Sequence, residues 1–291
     1  MKKTTVIIMV LIMLLSCFSV FAGGSKEKAS ASVDYSSYSL TELKKAISTK
    51  VSGKFTVATS PDYAPYEFYA VGDDGKLSLA GFDMALAQYI ADYLDLELDV
   101  IPMDFDGVIA EVGMGNVDAG IAGLSPSPDR ADAMEFSSIY YAGTQAFICL
   151  SKNASKFTTL ADTNKAEYKI GAQVGSIQVG LAEENSPNAD IVQLAKVTDI
   201  IAEVLNGKLD GAYVELAVAE SYAKNYPELK AALDVPYDSE GNVVGIKKGN
   251  LALLEGVNRA INQALADGSM ADFVATASEQ ASGEIYEGLI D

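Results

Sequence analysis

The stretch Val108-Ile-Ala-Glu-Val-Gly-Met-Gly-Asn-Val-Asp-Ala-Gly-Ile-Ala-Gly123 is echoed without gaps by Ile200-Ile-Ala-Glu-Val-Leu-Asn-Gly-Lys-Leu-Asp-Gly-Ala-Tyr-Val-Glu215. Ile, Ala, Glu, Val, Gly and Asp recur in register. Each copy reads as a helix carrying Ile-Ala-Glu-Val, a glycine stop, and Val/Leu-Asp leading into a buried strand. Helix-stop-strand units look alike in any α/β protein. The shared register, and an offset of 92 positions (200 against 108) that is close to one small lobe, favour two related α/β lobes. Ligands of open α/β sheets bind beyond the carboxyl ends of the strands. The residues there are Gly123-Leu-Ser125 in one copy and Glu215 in the other, so a cleft faced by both follows.

Outward from the repeat, short apolar runs (Phe55 to Ala58, Ala119 to Ala122, Phe147 to Leu150, Lys169 to Ala172, Gly211 to Val214) alternate with helix-period segments such as Met84 to Leu94. Strands alternating with helices predict parallel α/β sheets. Gly23 to about Ser37 is rich in Gly, Ser, Lys and Ala, the composition of a flexible tether.

At the N-terminus, Lys2 and Lys3 precede an uncharged apolar run from Val6 to Leu15 that ends in small and polar residues, which reads as a signal peptide over 1–22. The run is too short for the roughly 20 apolar residues of a membrane-spanning helix. Leu14, Leu15 and Ser16 before Cys17 resemble a lipobox, whereas Val20 and Ala22 form an ordinary cleavage site; the apolar stretch Phe18 to Phe21 favours the latter. The expected location is periplasmic or cell-surface, with a lipid anchor on Cys17 as the other reading.

Without residues 1–22 the chain has 269 residues (291 less 22), enough for two lobes with a core each; one compact barrel is the rival architecture. A formal charge of −19 argues against nucleic acid and anionic membrane surfaces as partners. Cys17 and Cys149 are the only cysteines, so once Cys17 is removed or lipidated no intrachain disulfide can form. The absence of histidine removes the commonest metal ligand and the usual general base. No cofactor or metal is expected.

Candidate ligand groups sit at the predicted strand ends. Ser127, Pro128 and Asp129 suit the cap, first and second positions of a helix, placing Arg130 at a helix N-terminus. Arg130 and Arg259 are the only arginines, and a guanidinium grips a carboxylate with two parallel hydrogen bonds where lysine cannot. Glu215 closes the apolar run Gly211-Ala-Tyr-Val, where a carboxylate is costly unless paired, and an α-ammonium group is a suitable partner. Tyr63 and Phe105 offer flat apolar surfaces. Asp83 reads most simply as the N-cap of the helix at Met84. In the second lobe Gln173-Val-Gly-Ser-Ile-Gln178 follows a strand, and Gly175 and Ser176 can offer backbone amides and a hydroxyl.

Taken together, Val57-Ala-Thr-x-x-x-Tyr-x-Pro-Tyr-x-Phe68, Gly81-Phe-Asp83, Met103-Asp-Phe-Asp-Gly107, the Asp118 to Arg130 segment and Phe136-Ser-x-x-Tyr140-Tyr resemble the solute-binding proteins of polar amino-acid ABC transporters. The resemblance, from about Lys50 to the C-terminus, implies a type II periplasmic binding protein fold: two Rossmann-like lobes joined by a two-strand hinge. It further implies two hinge crossings and a lobe one completed by the C-terminal segment, so the chain is read as a tether over 23–50, lobe one from 51–141 plus 248–291, and lobe two with the hinge strands from 142–247. Arg130 would clamp an α-carboxylate, helped by Gly123, Ser125 and Ser176. Glu215 would take the α-ammonium, Tyr63 and Phe105 would sandwich the side chain, and Ser60, Gln173 and Gln178 would lie near its tip. Several relatives with basic or glutamine-like ligands have Asp where this chain has Ser60, so a basic ligand would need Asp62, Asp106 or Gln173 instead. The implied partners are an amino acid and a membrane permease, and the protein itself is expected to be a monomer. The alternatives are a sensing domain, or a dehydratase-type enzyme using acids such as Asp104, Asp106 and Glu111.

Overall fold

The computed structural model describes residues 33–72, 74–237 and 241–282. The stretch read as a signal peptide, Cys17 and the first part of the stretch read as a tether lie outside the described residues, as do residues 283–291 of the segment assigned to lobe one. Strands β1 (Lys54–Thr59), β2 (Asp62–Tyr63), β3 (Glu67–Val71), β4 (Leu77–Ala80), β5 (Glu97–Pro102), β6 (Ala119–Gly120) and β7 (Met134–Phe136) come first. Five more, β8 (Gln145–Leu150), β9 (Lys169–Gln173), β10 (Asp190–Leu194), β11 (Gly211–Glu215) and β12 (Leu229–Val235), build a second sheet, and β13 (Gly245–Lys247) returns to the first. The helices are α1 (Leu40–Ala46), α2 (Phe82–Leu94), α3 (Phe105–Met114), α4 (Pro128–Ala131), α5 (Ile177–Asn185), α6 (Val197–Leu205), α7 (Leu216–Asn225), α8 (Leu251–Asp267) and α9 (Ser269–Gln280).

The sheets run β5-β1-β6-β13-β7 and β10-β9-β11-β8-β12, and β2-β3-β4 form a small antiparallel sheet beside the first. Two lobes of α/β type are thus present, as expected. The sheets are not wholly parallel, however. Within each, four strands run the same way and one runs against both its neighbours: β13 in the first sheet and β8 in the second, the strands that enter from the opposite lobe. Tyr141 and Asn242 pair antiparallel where the two crossings pass each other. Within the stretch read as tether, α1 is instead an ordered helix. Ser39 and Glu42 form a capping box, Leu43 is fully buried, and Arg259 donates to the carbonyls of Tyr35, Ser36 and Tyr38.

The repeat is a structural duplication. Its helices are α3 and α6, its strands β6 and β11, and Gly115 and Gly207 adopt φ of 72° and 70°, the left-handed turn that ends a helix and that other residues enter at a cost. The repeated aspartates do the same job twice. Asp118 donates its N–H to the Thr56 carbonyl (2.9 Å) and its carboxylate accepts from Thr56 N–H (2.8 Å) and the Thr56 hydroxyl. Asp210 donates to the Lys169 carbonyl (2.8 Å) and accepts from Lys169 N–H (2.9 Å). Each acid ties the third parallel strand of its lobe to the first. Apolar faces supply the main stabilisation: Phe55, Val57, Leu86 and Ile90 pack with Leu253, Val257 and Ile261 of α8, each such side chain contributing about 1.5–3 kcal/mol.

Asp118 is buried and also accepts from Lys50 N–H (2.6 Å), whereas Asp210 is half-exposed. Replacing Asp118 by Ala is therefore expected to cost about 3 kcal/mol and the same change at Asp210 about 1 kcal/mol, read from urea unfolding curves. Equal losses would mean that burial does not set the strength of these ties.

Candidate ligand site

The ends of β1 and β9 face each other, and the residues beyond them line a small cavity of about 10 Å³, so the lobes are closed tightly on one another. Six of the nine residues expected at a ligand line it: Ser60, Tyr63, Phe105 and Gly123 from the first lobe, Gln173 and Ser176 from the second. Gln178, Asp62 and Glu67 line it as well. Ser125, Arg130 and Glu215 are buried next to this lining, whereas Asp104 and Asp106 are exposed and Glu111 is half-buried, and none of these three lines the cavity.

Arg130 lies in α4, which starts where Ser127 and Pro128 predicted but is only four residues long, so its dipole adds little to anion binding. The guanidinium matters more. It is 7% exposed, stacks over the Phe105 ring (5.5 Å to the centroid), and donates to the Ser125 carbonyl (2.7 Å) and, across the lobes, to the Gly175 carbonyl (2.8 Å). Those contacts use two of its five donors. Among the described residues no carboxylate forms an ion pair with it.

Glu215, at the end of β11, is 1% exposed. Its carboxylate accepts from the Tyr66 hydroxyl of the other lobe and from Asn242 Nδ2 (3.4 Å) in the second crossing. Its N–H donates to the Tyr63 hydroxyl (3.2 Å), and Gln178 Nε2 donates to the same oxygen (3.3 Å). Burial pushes the carboxyl up to about 8, against the lowering effect of the Tyr66 and Asn242 hydrogen bonds.

Three further acids cluster here. Asp62 accepts from Ser60 Oγ (2.9 Å), Gln173 Nε2 (3.1 Å) and Val197 N–H (2.6 Å), so it joins the lobes directly; burial raises it to about 6, against those hydrogen bonds and the charge of Lys196. Asp83 is not an N-cap. Gly81 holds that position, and the Asp83 side chain turns inward to accept from Gly123 N–H (2.8 Å) and the Tyr140 hydroxyl (3.0 Å). Glu67 is fully buried beside it. Sequence reasoning missed Glu67, Tyr66 and Asn242. The signal for Glu67 was an acid inside the aromatic run Tyr63-Ala-Pro-Tyr-Glu-Phe68, where a carboxylate is unexpected unless it has a task.

The profile of the bacterial extracellular solute-binding proteins, family 3, matches residues 55–276, which span both sheets and the cleft between them. The chain belongs to this family. The resemblance read from the sequence therefore holds. The arginine-binding extracellular protein ArtP of Bacillus subtilis is 29% identical over 232 residues, covering 78% of this chain and 87% of ArtP. The crystal structure of AbpA, an amino acid ABC transporter substrate-binding protein of Streptococcus pneumoniae bound to L-arginine, is 32% identical with a TM-score of 0.76, covering 80% of this chain and 97% of AbpA. The ancestral amino-acid-binding protein AncCDT-1, a precursor of cyclohexadienyl dehydratase, is 28% identical with a TM-score of 0.68, covering 81% of this chain and 97% of its own. These relatives are binding proteins.

For a family 3 solute-binding protein with this cleft, closure without ligand favours protonated carboxyls. Glu215, raised in the closed form, adds stability that is fully present below the ordinary carboxylate range and is lost as pH climbs through about 8; Asp62 and Asp83 do the same up to about 6. The melting temperature of the ligand-free protein is expected to fall from about pH 5 to about pH 8, with Glu215→Gln making the fall above about pH 6 shallower. Calorimetric scans across that range check it; identical profiles for parent and variant would mean that Glu215 is not buried as an uncharged acid.

Proposed function

We propose that this protein captures a cationic amino acid, of the arginine type, between its lobes and delivers it to an ABC transporter permease. One observation carries the reading: Asp62 and Glu67 line the cleft and Asp83 and Glu215 are buried beside it, while Arg130, the one buried cation among the described residues, has no acid partner. Such a site asks for one anionic group at Arg130 and positive charge elsewhere. An α-carboxylate meets the first demand through the free donors of Arg130, and an α-ammonium meets the second at Glu215. Asp62 then takes the distal cation. It stands two residues after Ser60, lines the cavity, and at about 6 is ionised at neutral pH. Tyr63 and Phe105 flank the aliphatic stem, with Gln173, Gln178 and Ser60 near its tip. The names of ArtP and AbpA support a basic ligand.

In this reading residues 1–22 direct export, lobe one comprises 51–141 plus 248–291, lobe two comprises 142–247, and closure around the ligand is the signal to the permease. The protein acts as a binder rather than a catalyst, so ligand recovered after incubation is chemically unchanged.

Calorimetric titration against the common amino acids tests the assignment. Arginine is expected to bind most tightly. Arg130→Ala is expected to weaken it by at least about a hundredfold, since a buried charge contact is lost. Asp62→Asn is expected to cost arginine about tenfold or more while sparing glutamine, which has no distal charge. Preference for a neutral or acidic amino acid, or an Asp62→Asn variant that loses both ligands equally, would overturn the cationic assignment.

A further inference from the structure

Glu67 and Asp83 are both fully buried, and they lie within hydrogen-bonding reach of each other. Both carboxyl oxygens of Glu67 and Oδ1 of Asp83 have no donor facing them from elsewhere in the structure. Were both groups ionised, three buried acceptor oxygens and two like charges would sit together with nothing to offset them, an arrangement costly enough to be rare. One proton removes the difficulty, because it turns one acid into a donor for the other. Asp83 is the better anion. Its Oδ2 already accepts from Gly123 N–H (2.8 Å) and from the Tyr140 hydroxyl (3.0 Å), and it sits in the first turn of α2, at the positive end of the helix. Glu67 has no comparable donors, so the proton belongs on Glu67 and is donated to Asp83 Oδ1.

We propose that Glu67 is a protonated positioning residue which, through Asp83, fixes the Gly123 peptide at the wall of the ligand cleft. The Gly123 N–H is held by Asp83, and its carbonyl accepts from Asn242 Nδ2 (2.9 Å), whose amide also reaches Glu215. The peptide is thus clamped from both sides, and Glu67 secures one jaw. The charges around Glu67 act in the same direction. Burial raises it well above the carboxylate range, and Asp83, Asp62 and Glu215 raise it further; no cation offsets them, and the hydroxyls of Tyr63, Tyr66 and Tyr140 are themselves held protonated by burial. Asp83, raised to about 6 by burial against the donors from Gly123 and Tyr140, remains the anion at neutral pH. The effect on affinity rests on the ligand reading given above; the protonation state does not.

The test compares parent, Glu67→Gln and Glu67→Ala. An amide keeps a donor for Asp83 but carries no proton to lose, whereas alanine keeps neither. Infrared difference spectra of the ligand-free protein at neutral pH are expected to contain a protonated-carboxyl stretch that vanishes in Glu67→Gln. The melting temperature of Glu67→Gln relative to the parent is expected to rise steadily from about pH 5 to about pH 8, because only the parent must take up a proton to fold. In arginine titrations, Glu67→Gln is expected to recover most of the affinity that Glu67→Ala loses. No vanishing carboxyl band, a melting difference flat with pH, or a Glu67→Gln variant that fails to fold would each overturn the proposal. Failure of the parent to bind arginine would instead count against the ligand reading, and the spectra and melting curves would still decide the proton.

Discussion

Burying carboxylates without cations is the constraint around which this molecule is arranged. Glu215 and Asp62 belong to opposite lobes, and each is held from the other side: Glu215 by Tyr66, Asp62 by Gln173 and Val197 N–H. Moving an ionised carboxylate from water into such surroundings costs several kcal/mol even after hydrogen bonding. A cleft of this composition therefore closes readily only when something positive, a proton or an ammonium, accompanies the acids. The lobes supply hydrogen bonds enough to orient the carboxyls but not enough charge to neutralise them. That deficit penalises an empty closed state in which the acids are ionised.

The duplication provides the scaffold for this arrangement and then departs from it where binding happens. Asp118 and Asp210 tie equivalent strands together in both lobes, and Gly115 and Gly207 stop equivalent helices. At the last aligned position the copies diverge, with Gly123 in one and Glu215 in the other. A glycine there presents bare backbone to the cleft. A glutamate presents charge. Asn242, in the strand crossing between lobes, touches both: it donates to the Gly123 carbonyl and to Glu215. Any opening of the lobes that separates Gly123 from Glu215 must break one of these bonds, so the crossing is coupled to the state of the site through a single amide.

Most of the fold was legible because it follows from local patterns. Period-2 and period-3.6 hydrophobicity located the strands and helices, and the register of the repeat placed Glu215 and Gly123 at matching strand ends. The one reversed strand of each sheet was not legible, since β8 and β13 read as apolar strands like their neighbours and only the lobe-to-lobe crossing reverses them. The order of Leu40–Ala46 was hidden for a similar reason: its neighbours are polar, and the partner that fixes the segment, Arg259, lies more than two hundred residues away. In the site, residues carried by recognisable motifs were found. Asp83 was misjudged because an acid beside a helix start is usually a cap; only the inward turn of its side chain toward Gly123 reveals the other task.

Arg130 illustrates how charge scarcity can carry information that a motif does not. The chain has 21 basic and 40 acidic residues, and 19 of the basic ones are lysines. Arg259 shows what the other guanidinium does: it bonds three backbone carbonyls and Glu255, so four of its five donors serve the fold. Arg130 bonds two carbonyls, one in each lobe, and stacks on Phe105, which fixes its plane while leaving donors unspent. A lysine could not be held this way, because a point charge has no plane to orient. The same planarity lets one guanidinium bond a carbonyl of each lobe, Ser125 in the first and Gly175 in the second. Phe105, which lines the cavity between the lobes, thus sets the plane of the guanidinium while its remaining donors stay unspent.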